Sequence, residues 1–321
     1  KTAYIIALVM IVISAGSLAF KGLNLGIDFK GGRNYIVRFD QDVKVDQVRE
    51  ALSNVNVEGW ETPEVKTYGP NGQVKITTKF KIEDSNPDVD TEIQGILYEG
   101  LHGLFAGNIT PDQFSSEDET IGVLSTQKVG ATIASDVTRK SIWAIIVSLV
   151  LMFAYIAIRF RKWQYGLSAL AALAHDTIIM LGMYSLFFNI LPFTMEVDQA
   201  FIAAVLTIIG YSINATVVIF DRVRENTTLH PKASWRENIN NAVNSTLTRS
   251  FNTSGSTFVV LLAIFFFGGD TIRGFIFALL VGILAGTFSS VFLSSPIAYN
   301  LLGGNKQDKA LAEAEVNAKK K

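Results

Sequence analysis

The sequence predicts an α-helical multi-pass membrane protein with one small α+β domain outside the bilayer. Six apolar runs are each near or above the roughly 17–25 residues that a helix needs to cross the hydrocarbon. They cover residues 4–20, 141–158, 165–191, 200–220, 251–267 and 275–302. Between the first two runs, residues 22–139 carry 11 basic and 19 acidic side chains, whereas the remainder carries 17 basic and 10 acidic. An acidic, soluble-looking segment is therefore inserted into a basic membrane protein.

The first run, residues 4–20, is interpreted as a membrane anchor that covers residues 1–21. A signal peptide is the alternative, because Lys1 precedes the run and Ser17-Leu18-Ala19 resembles a cleavage site. The length of the run and the five runs that follow favour the anchor. No initiator Met is present, so we expect a fragment or one half of a longer polypeptide.

The short loops predict the orientation in the membrane. Lys and Arg follow the second, fourth and sixth runs, whereas the loop 189–199 contains no Lys or Arg and carries Glu196 and Asp198. The positive-inside rule therefore predicts that both termini are cytoplasmic and that residues 22–139 are extracytoplasmic.

The extracytoplasmic segment reads as a small ferredoxin-like α+β domain. Alternating and helical apolar patterns predict strand, helix, strand, strand, helix, strand, at residues 34–39, 45–55, 64–68, 73–80, 91–105 and 121–129. Gly69-Pro70-Asn71-Gly72 predicts the turn between the middle strands. The acidic run 117–119 is expected to be a solvated loop.

Composition excludes several function classes. The chain has no Cys and only three scattered His residues, so neither a disulfide nor a thiolate or histidine metal site is predicted. No paired-carboxylate, nucleophile or phosphate-loop pattern is present. We therefore expect no enzyme, no cofactor, no metal and no nucleic-acid partner.

The five-helix membrane portion, residues 140–302, contains a polar insertion and is followed by a polar tail. Ser234 and Glu237 have the spacing of a capping box. Apolar residues then follow on one helical face, which predicts an amphipathic helix near 234–248 on the cytoplasmic surface. The Lys-rich tail, residues 303–321, is expected to be cytoplasmic and disordered.

Charged groups inside apolar runs are functional-site candidates, because lipid makes them costly. Arg249 opens the fifth run, and its alternative role is snorkelling to the interface. Asp176 lies within the third run beside His175, and its alternative role is a hydrogen bond between packed helices.

Three further groups have structural interpretations. Asp221, Arg222 and Arg224 are expected to anchor the cytoplasmic end of the fourth helix. Gly31 and Gly32, which follow Asp28, give the backbone conformational freedom at the membrane exit, the point after the first span where the chain leaves the membrane. Small residues recur at every fourth position and form a ridge that allows close helix packing: Gly282, Gly286, Ser290 and Ser294.

The ordered set of motifs resembles the SecF family, the smaller partner of SecD in bacterial protein export. The resemblance extends nearly through Leu302 and rests on these strings: Gly26-Ile27-Asp28-Phe29-Lys30-Gly31-Gly32, Tyr155 to Phe160, His175-Asp176, Gly210 to Val218, Asp221 to Glu225, Thr246 to Ser254, Gly268-Gly269 and Gly286 to Ser290.

This resemblance implies the resistance–nodulation–division transporter fold in the bacterial inner membrane. It implies pairing with six helices of SecD, separate or fused. The pair would act beside SecYEG, with YidC as a further partner, on unfolded secretory polypeptides. Proton-motive force would drive the pair, with sodium as the alternative coupling ion. For Asp221, Arg222 and Arg224 the resemblance implies a structural role at a cytoplasmic gate, as the alternative to anchoring the helix end.

One position departs from the family pattern. The family has Asn-Asp-Thr where this chain has Asn214-Ala215-Thr216, and it pairs that Asp with Arg249. A methyl group can neither bind a proton nor compensate an arginine. Either an Asp-to-Ala change has been introduced, or the relay lies elsewhere. Arg249 would then pair with Asp176 or with an acid of the SecD half.

Two other functions stay open at this point. The chain could be half of a small-molecule or lipid transporter of the resistance–nodulation–division type. It could also be an uncoupled scaffold, a role that the missing acid makes more plausible.

The orientation is testable by single-cysteine labelling, since the chain has no Cys of its own. A cysteine at Asn71 should react with an impermeant thiol reagent added from outside, and one at Lys306 should not. The reverse pattern would exclude the predicted topology.

Overall fold

The computed structural model describes residues 2–69, 72–84, 86, 88–116, 120–191, 193–308 and 310. Within these residues six helices are long and apolar enough to cross a membrane. The first, α1 (Thr2–Phe20), is part of the helix bundle. Ser17 Oγ lies 2.9 Å from Ser185 Oγ of the third long helix, and Ser14 contacts Gly182. These contacts match the anchor interpretation and give the signal-peptide alternative no support.

The α+β domain between the first two spans has the ferredoxin-like topology that the sequence predicts. All its strand pairings are antiparallel, in the order β2-β3-β1-β4, which is the split β-α-β arrangement. Its elements are the short helix α2 (Ile27–Lys30), β1 (Gly32–Arg38), α3 (Val45–Ser53), β2 (Glu64–Thr67), β3 (Gln73–Thr78), α4 (Asp88–Leu101), a 3-10 turn (His102–Leu104), α5 (Pro111–Ser115) and β4 (Gly122–Val129). The one-turn helices α2 and α5 were not predicted. Pro70, Asn71 and residues 117–119 lie outside the described residues.

The two faces of this sheet have different roles. One face packs its apolar side chains, such as Val37 and Ile76, with those of α3 and α4 in a closed core. Arg33 is buried on the same face and forms a 2.6 Å ion pair with Asp90. The opposite face is polar and is turned toward the membrane helices, where buried Lys75 finds a carboxylate partner.

The remaining helices build the membrane bundle. They are α6 (Ala131–Phe160), α7 (Trp163–Phe187), α8 (Gln199–Leu229), α9 (Trp235–Phe267), α10 (Asp270–Ser289), a π-helical turn (Ser290–Ser294) and α11 (Ser295–Leu301). Most of them extend beyond the apolar runs that predicted them. Helix α6 starts ten residues before the apolar run that begins at Ser141. Hydropathy marks only the part of a helix that faces lipid, whereas the backbone hydrogen bonds of the helix continue beyond that part.

The predicted amphipathic helix is not a separate element. Residues 235–267 form one continuous helix, α9, so the amphipathic segment runs directly into the fifth span. The Ser234 hydroxyl accepts a hydrogen bond from the Glu237 amide at 3.1 Å and so caps its start. The separate-helix prediction failed because this stretch contains no Pro, and a change in hydrophobic pattern alone does not end a helix.

The tail begins as ordered structure, contrary to the expectation of disorder from residue 303 onward. Residues 304–308 are helical. The Gln307 side chain accepts a hydrogen bond from the Trp235 amide at 2.8 Å, and the Tyr299 hydroxyl donates one to Asp308 at 2.6 Å. The first contact satisfies the backbone amide at the start of α9. Together the two contacts hold residues 307 and 308 against the bundle. Residues 309 and 311–321 lie outside the described part of the chain.

The centre of the bundle consists of α7, α8 and α10 with its π-helical continuation, whereas α1, α6 and α9 bury few residues. The small residues of the ridge allow this close packing. A Cβ added at Gly282 would collide with the Ile208 side chain of α8, and one added at Gly286 would lie 3.1 Å from Ser212.

We expect Gly282→Ala to lower the stability of the membrane bundle by about 1–3 kcal/mol through overpacking against Ile208. The matched control is Gly255→Ala in α9, where an added Cβ meets nothing within 4 Å. That change should raise stability by up to about 1 kcal/mol through helix propensity. Thermal unfolding midpoints in detergent measure both. A lower midpoint for the control, or an unchanged one for Gly282→Ala, would contradict the packing.

Candidate functional site

Ala215 and Arg249 line the same small cavity between α8 and α9. Its volume is about 100 Å³. Its walls are Tyr211, Asn214, Ala215 and Val218 from α8, and Arg249, Ser250, Thr253 and Ser254 from α9. The structure thus brings together the two positions that the resemblance pairs, although 34 residues separate them in sequence.

The guanidinium of Arg249 makes no hydrogen bond or ion pair with any other described residue. Its side chain is exposed and also lines a second, larger cavity of about 800 Å³ at the ends of α6, α8 and α9. Asn214 lines both cavities as well. The Tyr211 hydroxyl is buried, and in the described part of the chain it too has no hydrogen-bond partner. The site therefore has a positive charge and no carboxylate among its lining residues.

Asp176 lies in a different environment, a buried cluster of hydroxyl groups. Its side chain is about 2% exposed. Its Oδ2 atom accepts hydrogen bonds from Ser212 Oγ of α8 at 2.7 Å and from Ser289 Oγ of α10 at 2.8 Å. Its Oδ1 atom lies 3.1 Å from His175 Nδ1. One carboxylate therefore links three central helices.

The hydroxyl cluster continues into the π-helical turn. Thr216 Oγ1 lies 3.0 Å from Ser290 Oγ, and Ser290 donates to the backbone carbonyl of Ser212 at 3.1 Å. Ser294 Oγ donates to the carbonyl of Ser290 at 2.6 Å. Turns of π-helix interrupt an α-helical ladder and frequently occur at functional sites. Thr216 and Ser290 thus belong to the Asp176 cluster.

Asp176 does not compensate Arg249, which corrects the pairing suggested from the sequence. Ser212 and Thr216 lie on the face of α8 that meets the Asp176 cluster, whereas Tyr211 and Ala215 lie on the face that meets α9. Adjacent helical residues are rotated by about 100° because a turn contains 3.6 residues. The sequence neighbours therefore serve two separate sites.

His175 is the second titratable residue of the buried cluster. Its Nδ1 atom faces Asp176, and its buried Nε2 atom has no hydrogen-bond partner within the described residues. The ring lies 6.1 Å from the Phe288 ring, centroid to centroid. The unpaired ring nitrogen can donate or accept a hydrogen bond, depending on the tautomer.

The residues expected to anchor the end of α8 form an ion-pair group. Asp221 Oδ1 lies 3.4 Å from both Arg159 Nη2 and Arg224 Nη2. Arg222 pairs with Glu225 at 2.7 Å, and its Nε donates to Ser245 Oγ at 3.3 Å. These contacts join α6, α8 and α9 beside the large cavity. All of these charged side chains are partly exposed, so each pair contributes little stability.

The segment that contains Asp28, Gly31 and Gly32 holds the α+β domain to the start of α8. Gly31 and Gly32 have φ angles of +68° and +146°, which a residue with a Cβ rarely adopts. Asp28 Oδ2 accepts a hydrogen bond from the Gln199 amide at 3.1 Å. A carboxylate at a helix N-terminus is favourable because the unpaired amides there carry partial positive charge.

A salt bridge strengthens this junction. Glu196 binds Lys75 at 2.6 Å and Lys66 at 3.3 Å. Asp198 caps α8 by accepting from the Phe201 amide at 2.8 Å. Burial raises the pKa of Asp198, and the Asp28 and Glu196 carboxylates raise it further. The domain is therefore held to the bundle by charge pairs as well as by the backbone.

Sequence reasoning missed several of these partners. The lysines that meet Glu196 lie on strands more than a hundred residues away, so no local pattern indicates them. The Asp176 partners had a weak signal in the serine pair Ser289-Ser290 and in Ser212 within an apolar run. The unpaired Tyr211 hydroxyl had none.

Comparisons with known proteins agree with the resemblance. Residues 110–303 match the family described as protein export membrane protein SecD/SecF, C-terminal, and residues 16–43 match the SecD/SecF GG motif. The protein translocase subunit SecF of Rhodothermus marinus is 40% identical over 98% of this chain and 95% of its own length. That of Petrotoga mobilis is 34% identical over 94% of each chain.

Solved structures show the same fold. The crystal structure of SecDF, a translocon-associated membrane protein from Thermus thermophilus, has a TM-score of 0.74 and 32% identity over 91% of this chain. A SecDF structure in the super-membrane-facing form has a TM-score of 0.60 and 29% identity over 96% of this chain. This chain spans 36% and 38% of those two chains, respectively. The membrane bundle is thus of the resistance–nodulation–division type, and the chain belongs to the SecF family.

Proposed function

We propose that this chain is the SecF subunit of a Sec protein-export complex in the bacterial inner membrane. The observation that carries the proposal is the match to the Rhodothermus marinus SecF subunit over 95% of that protein's length. Together with a SecD partner, the chain would use the proton-motive force to promote export of unfolded polypeptides through SecYEG, with YidC nearby. Both termini would be cytoplasmic, as the basic loops predict.

The exposed surfaces support a requirement for SecD. Helices α1, α6 and α9 bury few residues and expose large apolar side chains such as Ile142, Trp143 and Phe251. Lipid can cover part of this area. The uncompensated Arg249 and the open cavities beside it favour a protein partner on that side, since a charge in a membrane needs a polar neighbour.

The Asp176 cluster is the part of this chain best suited to respond to protons. As a carboxylate, Asp176 accepts from Ser212 and Ser289; once protonated, it must itself donate a hydrogen bond. At least one hydroxyl would then reorient, and the two hydroxyls belong to α8 and α10. The protonation state would therefore bias how these helices pack. Ala215 cannot serve this role, because it has no ionisable group.

A scaffold without proton coupling is the second candidate, favoured by Ala215 in place of the acid that the family pattern has. A transport role for small molecules or lipids has no specific support from the site. The homologues are named as translocase subunits, in keeping with a transport subunit and not an enzyme.

Affinity purification of the tagged protein from its native membrane tests the assignment. We expect SecD and SecY among the stoichiometric partners by quantitative mass spectrometry. An outer-membrane channel as the main partner, without SecD and SecY, would instead favour an efflux transporter. A tagged, unrelated six-span protein from the same membrane is the control for nonspecific capture.

Asp176→Asn tests the buried cluster. The amide has the size of the carboxyl group but cannot ionise, so we expect proton-driven export in proteoliposomes to fall about tenfold, equivalent to about 1.4 kcal/mol of activation free energy. Asp136→Asn is the matched control, because Asp136 is an exposed acid whose side chain is 65% accessible. Undiminished export by a well-folded Asp176→Asn protein would exclude Asp176 from coupling.

A further inference from the structure

The two oxygen atoms of the buried Asp176 carboxyl group face different partners. His175 Nδ1 lies 3.1 Å from Oδ1. Two hydroxyls face Oδ2, Ser212 Oγ at 2.7 Å and Ser289 Oγ at 2.8 Å. Within the described residues, His175 is the one titratable side chain that forms a hydrogen bond or ion pair with Asp176. The oxygen at which Asp176 takes up a proton therefore depends on these three neighbours.

The burial of His175 decides which ring nitrogen carries the hydrogen. Nε2 is buried and has no hydrogen-bond partner in the described part of the chain. With the hydrogen on Nδ1, the ring donates to Asp176 Oδ1, and only the Nε2 lone pair is unsatisfied. With the hydrogen on Nε2, that N–H group would lack an acceptor, and the Nδ1 lone pair would face a carboxylate oxygen. Each unsatisfied buried group costs free energy, so the geometry favours hydrogen on Nδ1.

The same reasoning decides which oxygen of Asp176 binds an added proton. A proton on Oδ1 would point at the Nδ1–H group of His175, unless the ring hydrogen moved to Nε2, where it has no acceptor among the described residues. Buried N–H groups without an acceptor are rare in proteins. A proton on Oδ2 leaves the hydrogen bond from Nδ1 to Oδ1 in place. It requires only that one of the two hydroxyls beside Oδ2 turns its hydrogen away.

Ser289 carries the hydroxyl that can turn away. Its Oγ atom lies 2.8 Å from Asp176 Oδ2 and 3.2 Å from the carbonyl oxygen of Gly286 in the same helix. A hydroxyl has one hydrogen, so it donates to one of these acceptors at a time. Ser212 has a poorer alternative, because its second neighbour, Ser290 Oγ, lies 3.5 Å away. Rotation about the Cβ–Oγ bond of Ser289 thus frees a lone pair for the proton of Asp176.

We propose that His175 is a positioning residue for Asp176 and that the Ser289 hydroxyl reverses when Asp176 takes up a proton. In the ionised state, His175 Nδ1–H donates to Oδ1 and Ser289 donates to Oδ2. A proton from water then binds Oδ2 and is donated to Ser289 Oγ, while the Ser289 hydrogen turns to the Gly286 carbonyl. The new O–H bond is the only covalent bond that forms, and none breaks within the protein. The hydrogen bond between α7 and α10 thereby reverses its direction.

This arrangement rests on the geometry of the cluster, whereas its consequence for export rests on the proposed function. A side chain at 175 without a donor at Nδ1 would let the Asp176 carboxyl group turn about its Cβ–Cγ bond or bind its proton at Oδ1. The hydroxyls of α8 and α10 face Oδ2, so a proton at Oδ1 would leave their hydrogen bonds unchanged. His175 therefore acts on export through Asp176.

Nitrogen-15 NMR of labelled histidine tests the arrangement in the full chain, purified with its native membrane partners. His102→Gln and His230→Gln remove the other two histidines, which are exposed, so the remaining signals belong to His175. Nδ1 should carry a hydrogen and Nε2 should not, before and after Asp176 is protonated by acidification. Infrared spectroscopy follows this protonation as a carboxylic acid C=O band that Asp176→Asn lacks. A hydrogen on Nε2 in either state, or no such band at any pH at which the protein stays folded, would overturn the proposal.

The same infrared band tests the reversal of Ser289. Ser289→Ala should shift the C=O band of protonated Asp176, because the Oδ2–H group loses the oxygen that accepts its hydrogen. Ser256→Ala is the matched control, since Ser256 is exposed and its hydroxyl donates to a carbonyl three residues earlier in α9. That control should leave the band unchanged. A larger shift for Ser212→Ala than for Ser289→Ala would assign the reversal to Ser212 and overturn the role of Ser289.

Export assays in proteoliposomes test the positioning role. His175→Phe keeps an aromatic ring but lacks Nδ1, so proton-driven export should fall severalfold. His175→Asn, whose amide nitrogen takes the place of Nδ1, should restore most of that loss. His230→Phe makes the same change at an exposed histidine and should export as the parent does. Because His175 acts through Asp176, adding His175→Phe to Asp176→Asn should cause no further loss.

These assays separate this inference from the proposed function. If Asp176→Asn exports as the parent does, coupling through Asp176 is excluded, and the NMR and infrared results still support or overturn the hydrogen-bond arrangement. If Asp176→Asn loses export but His175→Phe does not, the positioning role is overturned and the proposed function stands. Losses that add in the double variant would also overturn that role, because they would show that His175 acts independently of Asp176.

Discussion

The hydrogen bonds around Asp176 are the interaction on which the membrane bundle depends. A carboxylate in the hydrocarbon region is costly unless protein groups satisfy it, and here hydroxyls from α8 and α10 do so while His175 lies beside it. Close approach of the helices is a condition of this arrangement. Gly282 and Gly286 provide it, since a side chain at either position would meet α8. The glycine ridge and the buried acid are therefore parts of one packing solution.

The start of α8 joins this centre of the bundle to the α+β domain. Asp28 binds the first amide of α8, and Glu196, two residues before the Asp198 cap, binds Lys75 of the sheet. A change in the packing of α8 would consequently act on the domain through short contacts and not through a flexible linker. Helix α8 thus contacts the buried acid through Ser212 and the α+β domain through its first turn.

Helix α8 separates two chemically different sites. One face contributes Ser212 and Thr216 to a closed and well-satisfied polar cluster, and the other contributes Tyr211, Asn214 and Ala215 to an open cavity with surplus donors. The first site is complete within the chain. The second contains the positive charge of Arg249 and no carboxylate among its lining residues.

The sequence alone determined the membrane class, the six spans, the strand order of the small domain and the family, because hydrophobic length, alternation and motif order are local properties of the chain. It also marked Arg249, Asp176 and the departure at Ala215. Only the tertiary structure decided the partners. It separated Asp176 from Arg249, since neighbouring residues on a helix point to different sides. It joined the amphipathic segment and the fifth span into one helix, ordered the start of the tail, and brought Lys75 to Glu196 across the fold. Such pairings depend on how distant elements pack, and no local pattern in the chain encodes them.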